Sequence, residues 1–205
     1  MGVQSVAIVP AAGVSRRMGR AKLLLPWGEG TVIGGVVAAL RHGGVGEIVV
    51  VVAPRGRELA SWGRACGLTV AVNPRPEEGM LSTIRVGMLA LGGAERLVAT
   101  GRPLLIAPGD LPGLAPVTVR AVLAALDSGA ALAVPVHRGR RGHPLGIAPP
   151  LLPEIEELDP TVGLRQLLER HTGEVVEVAV EDPGAVADVD TPEDYARLAP
   201  PGRRR

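Results

Sequence analysis

Short apolar runs and helix-length amphipathic segments alternate along this chain. The runs Ser5–Val9, Ile48–Ala53, Leu68–Val72, Leu104–Ala107, Ala131–Val136 and Val175–Val180 are rich in β-branched residues and bounded by Gly or Pro. Continuous rather than alternating apolarity is the mark of strands covered on both faces. Between them, Val32–Arg41, Arg57–Ala65, Leu81–Leu91, Pro116–Leu126 and Val162–Arg170 carry helical periodicity, with Thr31 and Thr161 placed as N-caps. Strands alternating with helices predict an α/β fold: a mostly parallel sheet, right-handed crossovers, helices on both faces, and a ligand crevice at the carboxyl ends of the strands. Arg138–Gly142 breaks the pattern and reads as a hairpin or mobile loop.

Composition narrows the classes. A chain of 205 residues that is 46% hydrophobic fits one domain, taken as residues 1–198, with 199–205 a flexible basic tail. A net charge of +1 provides no field for a polyanion, which disfavours nucleic acid and requires any phosphate recognition to be local. No apolar run approaches the ~20 residues of a membrane-spanning helix. One cysteine, Cys66, forms no internal disulfide, and the N-terminus lacks a charged leader, so the expected location is the cytoplasm. Phe is absent and 21 of the 22 basic residues are Arg, a bias that fits either heat adaptation or codon usage. Lys22 is the sole lysine and Asn73 the sole asparagine, so each survivor calls for a chemical reason.

Three stretches carry chemistry. The first predicted strand runs into Pro10-Ala11-Ala12-Gly13-Val14-Ser15-Arg16-Arg17-Met18-Gly19-Arg20-Ala21-Lys22. Ala11, Ala12 and Gly13 let a base or ribose approach the backbone, loop N–H groups can form an anion nest, and Arg17 and Lys22 can reach phosphates. The plain alternative is an exposed basic turn. The Gly spacing matches neither the P-loop nor the dinucleotide fingerprint. The second stretch, Leu105-Ile106-Ala107-Pro108-Gly109-Asp110, ends a buried strand in a carboxylate at the ligand edge. One such Asp can anchor Mg²⁺, which takes one or two carboxylates plus substrate phosphates; a Gly-Asp-x-Pro turn is the alternative. In the third, Asp188-Val189-Asp190-Thr191-Pro192-Glu193-Asp194, Thr191 caps a Pro-started helix. That leaves Asp188 and Asp190, two apart in extended chain, pointing the same way.

Taken together these stretches resemble the molybdenum cofactor cytidylyltransferase and guanylyltransferase group of nucleotidyltransferases, over essentially Val6 to Tyr195. The resemblance implies a three-layer, Rossmann-like nucleotidyltransferase fold. It implies that Ala11, Ala12 and Gly13 cradle the nucleotide, that Arg17 and Lys22 contact the triphosphate, and that Asp110 and Asp190, the latter preferred to Asp188, hold Mg²⁺. Pro10 departs from the group's usual Leu. Asn73 and Gly79-Met80-Leu81-Ser82-Thr83-Ile84-Arg85-Val86-Gly87 are similar to its Asn…Gly-Met-Ser-Ser-Ser-Ile-Arg-x-Gly segment, with Leu81 and Thr83 in place of serines; Asn73, Gly79, Met80 and Ser82 are therefore expected at the nucleotide. Gly142-His143-Pro144 resembles an element that precedes an acceptor-contacting strand, so His143 is either an acceptor-phosphate donor or a turn histidine.

The implied reaction transfers NMP from an NTP to a phosphorylated acceptor and releases pyrophosphate, with Lys22, Arg17 and Asp110 as the catalytic set. Ala-Ala-Gly and Met80 favour CTP and point to molybdopterin as acceptor, with onward transfer to a molybdoenzyme or its chaperone as a possible partner step. A GTP-dependent molybdopterin guanylyltransferase, a sugar or other small-molecule phosphate nucleotidyltransferase, and a nucleotide-sensing binding module remain the alternatives. His42, His137 and His171 show no metal-ligand spacing with one another or with Cys66, so no zinc site is expected. Trp27, Trp62 and Cys66 read as packing residues.

Overall fold

The computed structural model describes residues 4–13 and 22–200. In chain order the elements are β1 (Val6–Ala11), β2 (Pro26–Trp27), β3 (Gly30–Thr31), α1 (Val32–His42), β4 (Glu47–Val52), α2 (Arg57–Ala65), β5 (Thr69–Val72), α3 (Met80–Ala90), α4 (Gly93–Ala99), β6 (Leu104–Ile106), α5 (Pro116–Asp127), β7 (Leu132–His137), β8 (Arg140–Arg141), β9 (Leu145–Ile147), α6 (Glu154–Glu157), α7 (Leu164–Arg170), β10 (Val175–Ala179) and α8 (Pro192–Leu198). The main sheet runs β10-β7-β9-β6-β1-β4-β5, with β8 paired to β7, and β2 and β3 form a small separate ribbon.

This is a Rossmann-like α/β fold with a mostly parallel sheet. The β1–β4, β4–β5, β1–β6 and β7–β10 pairs are parallel. The sheet is not uniform, because β9 lies antiparallel between β6 and β7 and β8 returns as a hairpin on β7. The expected hairpin at Arg138–Gly142 is thus present, turning through Arg138 and Gly139, both at positive φ.

Two cores flank the sheet, which explains the unbroken apolarity of its strands. Ala7, Val9, Val50, Val52 and Leu105 face α1 and α5 through residues such as Ile33, Val36, Leu40, Val119 and Val122. Val6, Ile8, Val49, Val51 and Ile106 face the other way, onto Ile84 and Met88 of α3, Leu97 of α4, Ile155 of α6 and Leu167 of α7. With successive side chains pointing to opposite faces, the inner strands β1, β4 and β6 carry apolar residues at nearly every position, while the edge strand β5 is only partly covered. Helix α3 lies close on β1 at Gly87, where a Cβ would come within 2.8 Å of Ile8. Among the described residues no helix is long and apolar enough to cross a membrane.

Several expected boundaries shift for identifiable reasons. α3 starts at Met80, after Gly79 with φ +91°. α7 starts at Leu164 because Gly163 adopts φ +70°; Thr161 is not its cap and instead donates its hydroxyl to Asp159. Thr31 does cap α1, accepting from the Gly34 N–H at 3.1 Å. α4 is absent from the sequence reading, its seven residues being hidden behind the paired glycines Gly92 and Gly93.

Candidate active site

Chain direction in the sheet decides where a crevice must form. From β1 the chain moves outward through β4 to β5, then returns to the other side of β1 as β6. The carboxyl ends of β1 and β6 therefore mark a reversal of winding, the place where open α/β sheets leave room for a ligand. A cavity of about 450 Å³ lies there, lined by Ala11, Ala12, Gly13, Lys22, Gly79, Met80, Asp110 and Asp190 among others. A second, of about 770 Å³, continues over the ends of β4 and β5 along Ala53–Leu59, Pro74, Pro76 and Glu77.

Residues far apart in sequence converge at the floor. The Lys22 ammonium donates to Asp110 Oδ2 at 2.8 Å and to Asp190 Oδ1 at 2.6 Å. Its side chain is 13% exposed, those of Asp110 and Asp190 23% and 44%. Burial works against the charged ammonium, but hydrogen bonds to Asp110 and Asp190 and the charges of both carboxylates outweigh it and hold the Lys22 pKa above the ordinary lysine value. Two carboxylates thus share one cation.

Each of the three is delivered differently. Lys22 opens a short 3₁₀ turn ending at Leu24. Asp110 follows β6, whose chain beyond Ile106 stays tied to β1 by Ala107 N–H to Ile8 O and Gly109 N–H to Pro10 O. Pro10, the departure from the resembled pattern, keeps its place in β1 opposite Val51. Asp190 arrives on the loop after β10, pinned by a 2.9 Å bond from the Val189 N–H to the Asp110 carbonyl. The fully buried Val189 sits between Asp188 and Asp190. Asp190 pairs with Lys22, and both carboxylates, with Asp110, line a third cavity of about 460 Å³ that also holds His143, Arg140, Arg141 and Met80.

Asp182 and α8 hold that loop. Asp182 is buried, accepting from the Ala115 N–H at 2.9 Å, the Thr118 hydroxyl at 2.6 Å and the Gly184 N–H at 2.9 Å. It thereby caps the start of α5 from outside the helix. Thr191 and Asp194 form the reciprocal capping box of α8, and Tyr195 donates its hydroxyl to the Pro26 carbonyl beside Trp27.

The remaining expected residues divide. Gly79 and Met80 line the cavity at the start of α3, where no side chain caps the helix; free N–H groups there suit an anion. Asn73 and Ser82 line none of the three cavities. The buried Asn73 donates to Ser82 Oγ at 2.9 Å and Thr83 Oγ1 at 3.0 Å and accepts from the Arg75 N–H, bracing the loop that carries Gly79. Leu81, where the pattern has a hydroxyl, is core. His143 reaches the third cavity with its Nδ1 buried and without a hydrogen-bond partner among the described residues. Burial lowers its pKa, although a backbone bond at Ile106 and the charges of Asp110 and Asp188 pull the other way. Arg17 lies outside the described residues, as do residues 201–205 of the expected tail.

Sequence reading missed the Ala53–Leu59 lining of the larger cavity. The signal was available: Pro54-Arg55-Gly56-Arg57 follows a predicted buried strand at its ligand end. It also missed Arg85, which donates to the carbonyls of Ile155, Glu156 and Leu158 and so ties α3 to α6.

Residues 7–175 match the model of the MobA-like NTP transferase domain. The chain belongs to this family. As a MobA-like NTP transferase it is a nucleotidyltransferase, and its relatives match nearly end to end. It is 29% identical over 190 residues, 92% of each chain, to the molybdenum cofactor cytidylyltransferase of Escherichia coli K12. The crystal structure of Rv0371c from Mycobacterium tuberculosis H37Rv superposes with a TM-score of 0.79 at 28% identity, covering 97% of this chain and 98% of that one. A complex of Rv0371C with manganese gives 0.74 at 25%, covering 96% and 98%.

Proposed function

We propose that this MobA-like NTP transferase is a divalent-metal-dependent molybdenum cofactor cytidylyltransferase that joins CMP from CTP to molybdopterin and releases pyrophosphate. The observation that carries the reading is the convergence of Asp110 and Asp190 on one cation at the point where the sheet reverses its winding. A pair of carboxylate oxygens held around a positive charge is a donor set suited to a hard divalent ion whose other ligands come from water and phosphate. The residues fit the metal that the fold implies. When bound between Asp110 and Asp190, Mg²⁺ or Mn²⁺ would supply charge neutralisation at the phosphates.

The rest of the chemistry belongs to the protein. An acceptor phosphate oxygen attacks the α-phosphorus of the NTP in line, a new P–O bond forms, the α–β bridging bond breaks and pyrophosphate leaves; this demands positioning and electrostatics more than proton transfer. In our reading Ala11, Ala12 and Gly13 take the nucleotide against the backbone; a Cβ built on Gly13 would meet nothing within 4 Å among the described residues. Gly79 and Met80 offer the start of α3 to a phosphate, and Lys22, with Arg17, balances triphosphate charge. His143, at the third cavity with Asp188 and Arg140, faces the acceptor. Its neutral imidazole suits a hydrogen bond rather than an ion pair.

Choice of CTP rests on Ala11-Ala12-Gly13 and Met80 and on the name of the Escherichia coli relative. The test is pyrophosphate release with each of four NTPs against molybdopterin and a panel of sugar and alcohol phosphates. We expect CTP with molybdopterin to exceed every other pair. Preference for GTP would move the assignment to a guanylyltransferase, and turnover with a sugar phosphate alone would replace the acceptor.

A further inference from the structure

The contact at the heart of the site poses a problem for the metal it is built to hold. Lys22 Nζ stands 2.8 Å from Asp110 Oδ2 and 2.6 Å from Asp190 Oδ1. A magnesium ion ligating these oxygens at about 2.1 Å would have to lie where the ammonium already is. The two cations cannot share the gap, and each repels the other from it. Lys22 is also well enclosed, while Asp190 keeps an open side toward the cavity, so the ammonium leaves only for a stronger anion nearby. A nucleoside triphosphate brings that anion, several negative charges placed along the same cavity wall.

We propose that Lys22 is a placeholder cation: it occupies the metal position between Asp110 and Asp190 in the nucleotide-free protein and yields it when a triphosphate takes up the ammonium, so nucleotide must bind before or with the metal. This rests on the nucleotide reading above and adds an order of binding to it. Metal and nucleotide then favour each other through one side chain, and because binding couplings are reciprocal, CTP tightens metal binding by the same factor as metal tightens CTP. The device also keeps two carboxylates, 80 residues apart along the chain, from standing unpaired and repelling one another before substrate arrives.

The test begins with Mn²⁺ titrated into the full-length protein without nucleotide, followed by calorimetry and by loss of the free-ion electron paramagnetic resonance signal. Lys22→Met should bind Mn²⁺ on the order of tenfold more tightly than wild type, within the usual range of site-to-site coupling, and a non-hydrolysable CTP analogue should tighten Mn²⁺ binding in wild type far more than in the variant. Equal nucleotide-free affinity in the two proteins would overturn the proposal. Should Lys22→Met fold poorly, wild type alone decides, because its single lysine gives one side-chain resonance after ¹³C-lysine labelling. Mg²⁺ by itself should leave that resonance in place, and Mg²⁺ with the analogue should move it; an equal shift with Mg²⁺ alone would contradict the placeholder role. Calorimetry of the analogue reports separately on nucleotide binding. If it fails to bind, the nucleotide reading falls, while the Mn²⁺ comparison of the two proteins still decides what Lys22 does.

Discussion

The two sides of the crevice are built by different means. The side over β1, β4 and β5 is made of strand ends and a helix start: Ala11 to Gly13, the Ala53–Leu59 loop, and Gly79 ahead of α3. Its parts stand where the winding of a parallel sheet puts them, and its small residues are there for space. The opposite side is a clasp, the chain from Asp182 to α8, which has no partner strand and is held by separate contacts, among them Asp182 on the start of α5, the His143 N–H on the Ala185 carbonyl, Val189 on Asp110, and Tyr195 on Pro26. Strand ends give a site its shape cheaply and locally. A clasp brings a charge to it from a distant part of the chain, and its precision depends on each tie.

Substitutions can separate the two. Asp110→Asn sits where strand end and clasp meet and should have the largest effect, a loss of turnover on the order of a hundred- to a thousandfold, with a melting temperature close to wild type because Asn keeps the shape and an amide oxygen that can still accept from Lys22. Pyrophosphate release and a thermal scan check it. Lys22→Arg follows, since this chain uses Arg almost everywhere else. A larger, planar guanidinium places its charge and donors differently from a compact ammonium, and misplacing the phosphates by about 1 Å can cost on the order of a hundredfold in rate. Rates near wild type would remove Lys22 from the phosphate and metal machinery.

Asp182→Ala breaks the clasp without touching the cavities. It strands the Ala115 N–H, the Gly184 N–H and the Thr118 hydroxyl, a loss of about 1–3 kcal/mol for such buried groups, and should also weaken metal use by letting Asp190 wander. Chemical denaturation and the metal dependence of turnover read the two effects; a stability loss with unaltered metal dependence would mean that Val189 and α8 suffice. Gly87→Ala is its counterpart on the sheet side. Overpacking against Ile8 should cost a comparable 1–3 kcal/mol or so, leaving KM for nucleotide and metal unchanged in a thermal and kinetic comparison.

The smallest effect concerns pH. The His143 pKa is lowered in the folded protein by burial, so as pH falls below the ordinary histidine value the unfolded chain takes up a proton that the folded one resists. Stability is therefore lost on the acid side, from about pH 6.5 downward, and is unaffected above it. His143→Asn should flatten that part of a melting-temperature profile between pH 7 and 5.

The sheet side was legible because its rules are local. Apolar runs bounded by Gly and Pro located β1, β4, β6 and β7 to within a residue or two, and the small-residue turn after β1 and the strand-end Asp110 could be placed at the crevice from position alone. Asp190 was chosen over Asp188 on resemblance; both line the third cavity, and the contact with Lys22 is what sets Asp190 apart. What stayed hidden depends on tertiary contact. Nothing in the sequence around Asp182 says that it caps α5, 64 residues before it. Antiparallel β9 is three residues long and takes its direction from its neighbours. Asn73 and Arg85, read beside catalytic motifs, turn out to be tied into the framework: Asn73 braces the loop before α3 and Arg85 gathers the carbonyls at the end of α6.

The central claim is that Asp110 and Asp190 form one metal-dependent site, and a double-mutant cycle on pyrophosphate release tests it most directly. Turnover with CTP and molybdopterin would be measured across a Mg²⁺ titration for wild type, Asp110→Asn, Asp190→Ala and the double variant. Groups that act as a unit are strongly non-additive, so the double variant should be scarcely slower than Asp110→Asn alone, and both single variants should need more metal. Losses that multiply in full, or a wild-type metal requirement retained by Asp190→Ala, would contradict the shared site.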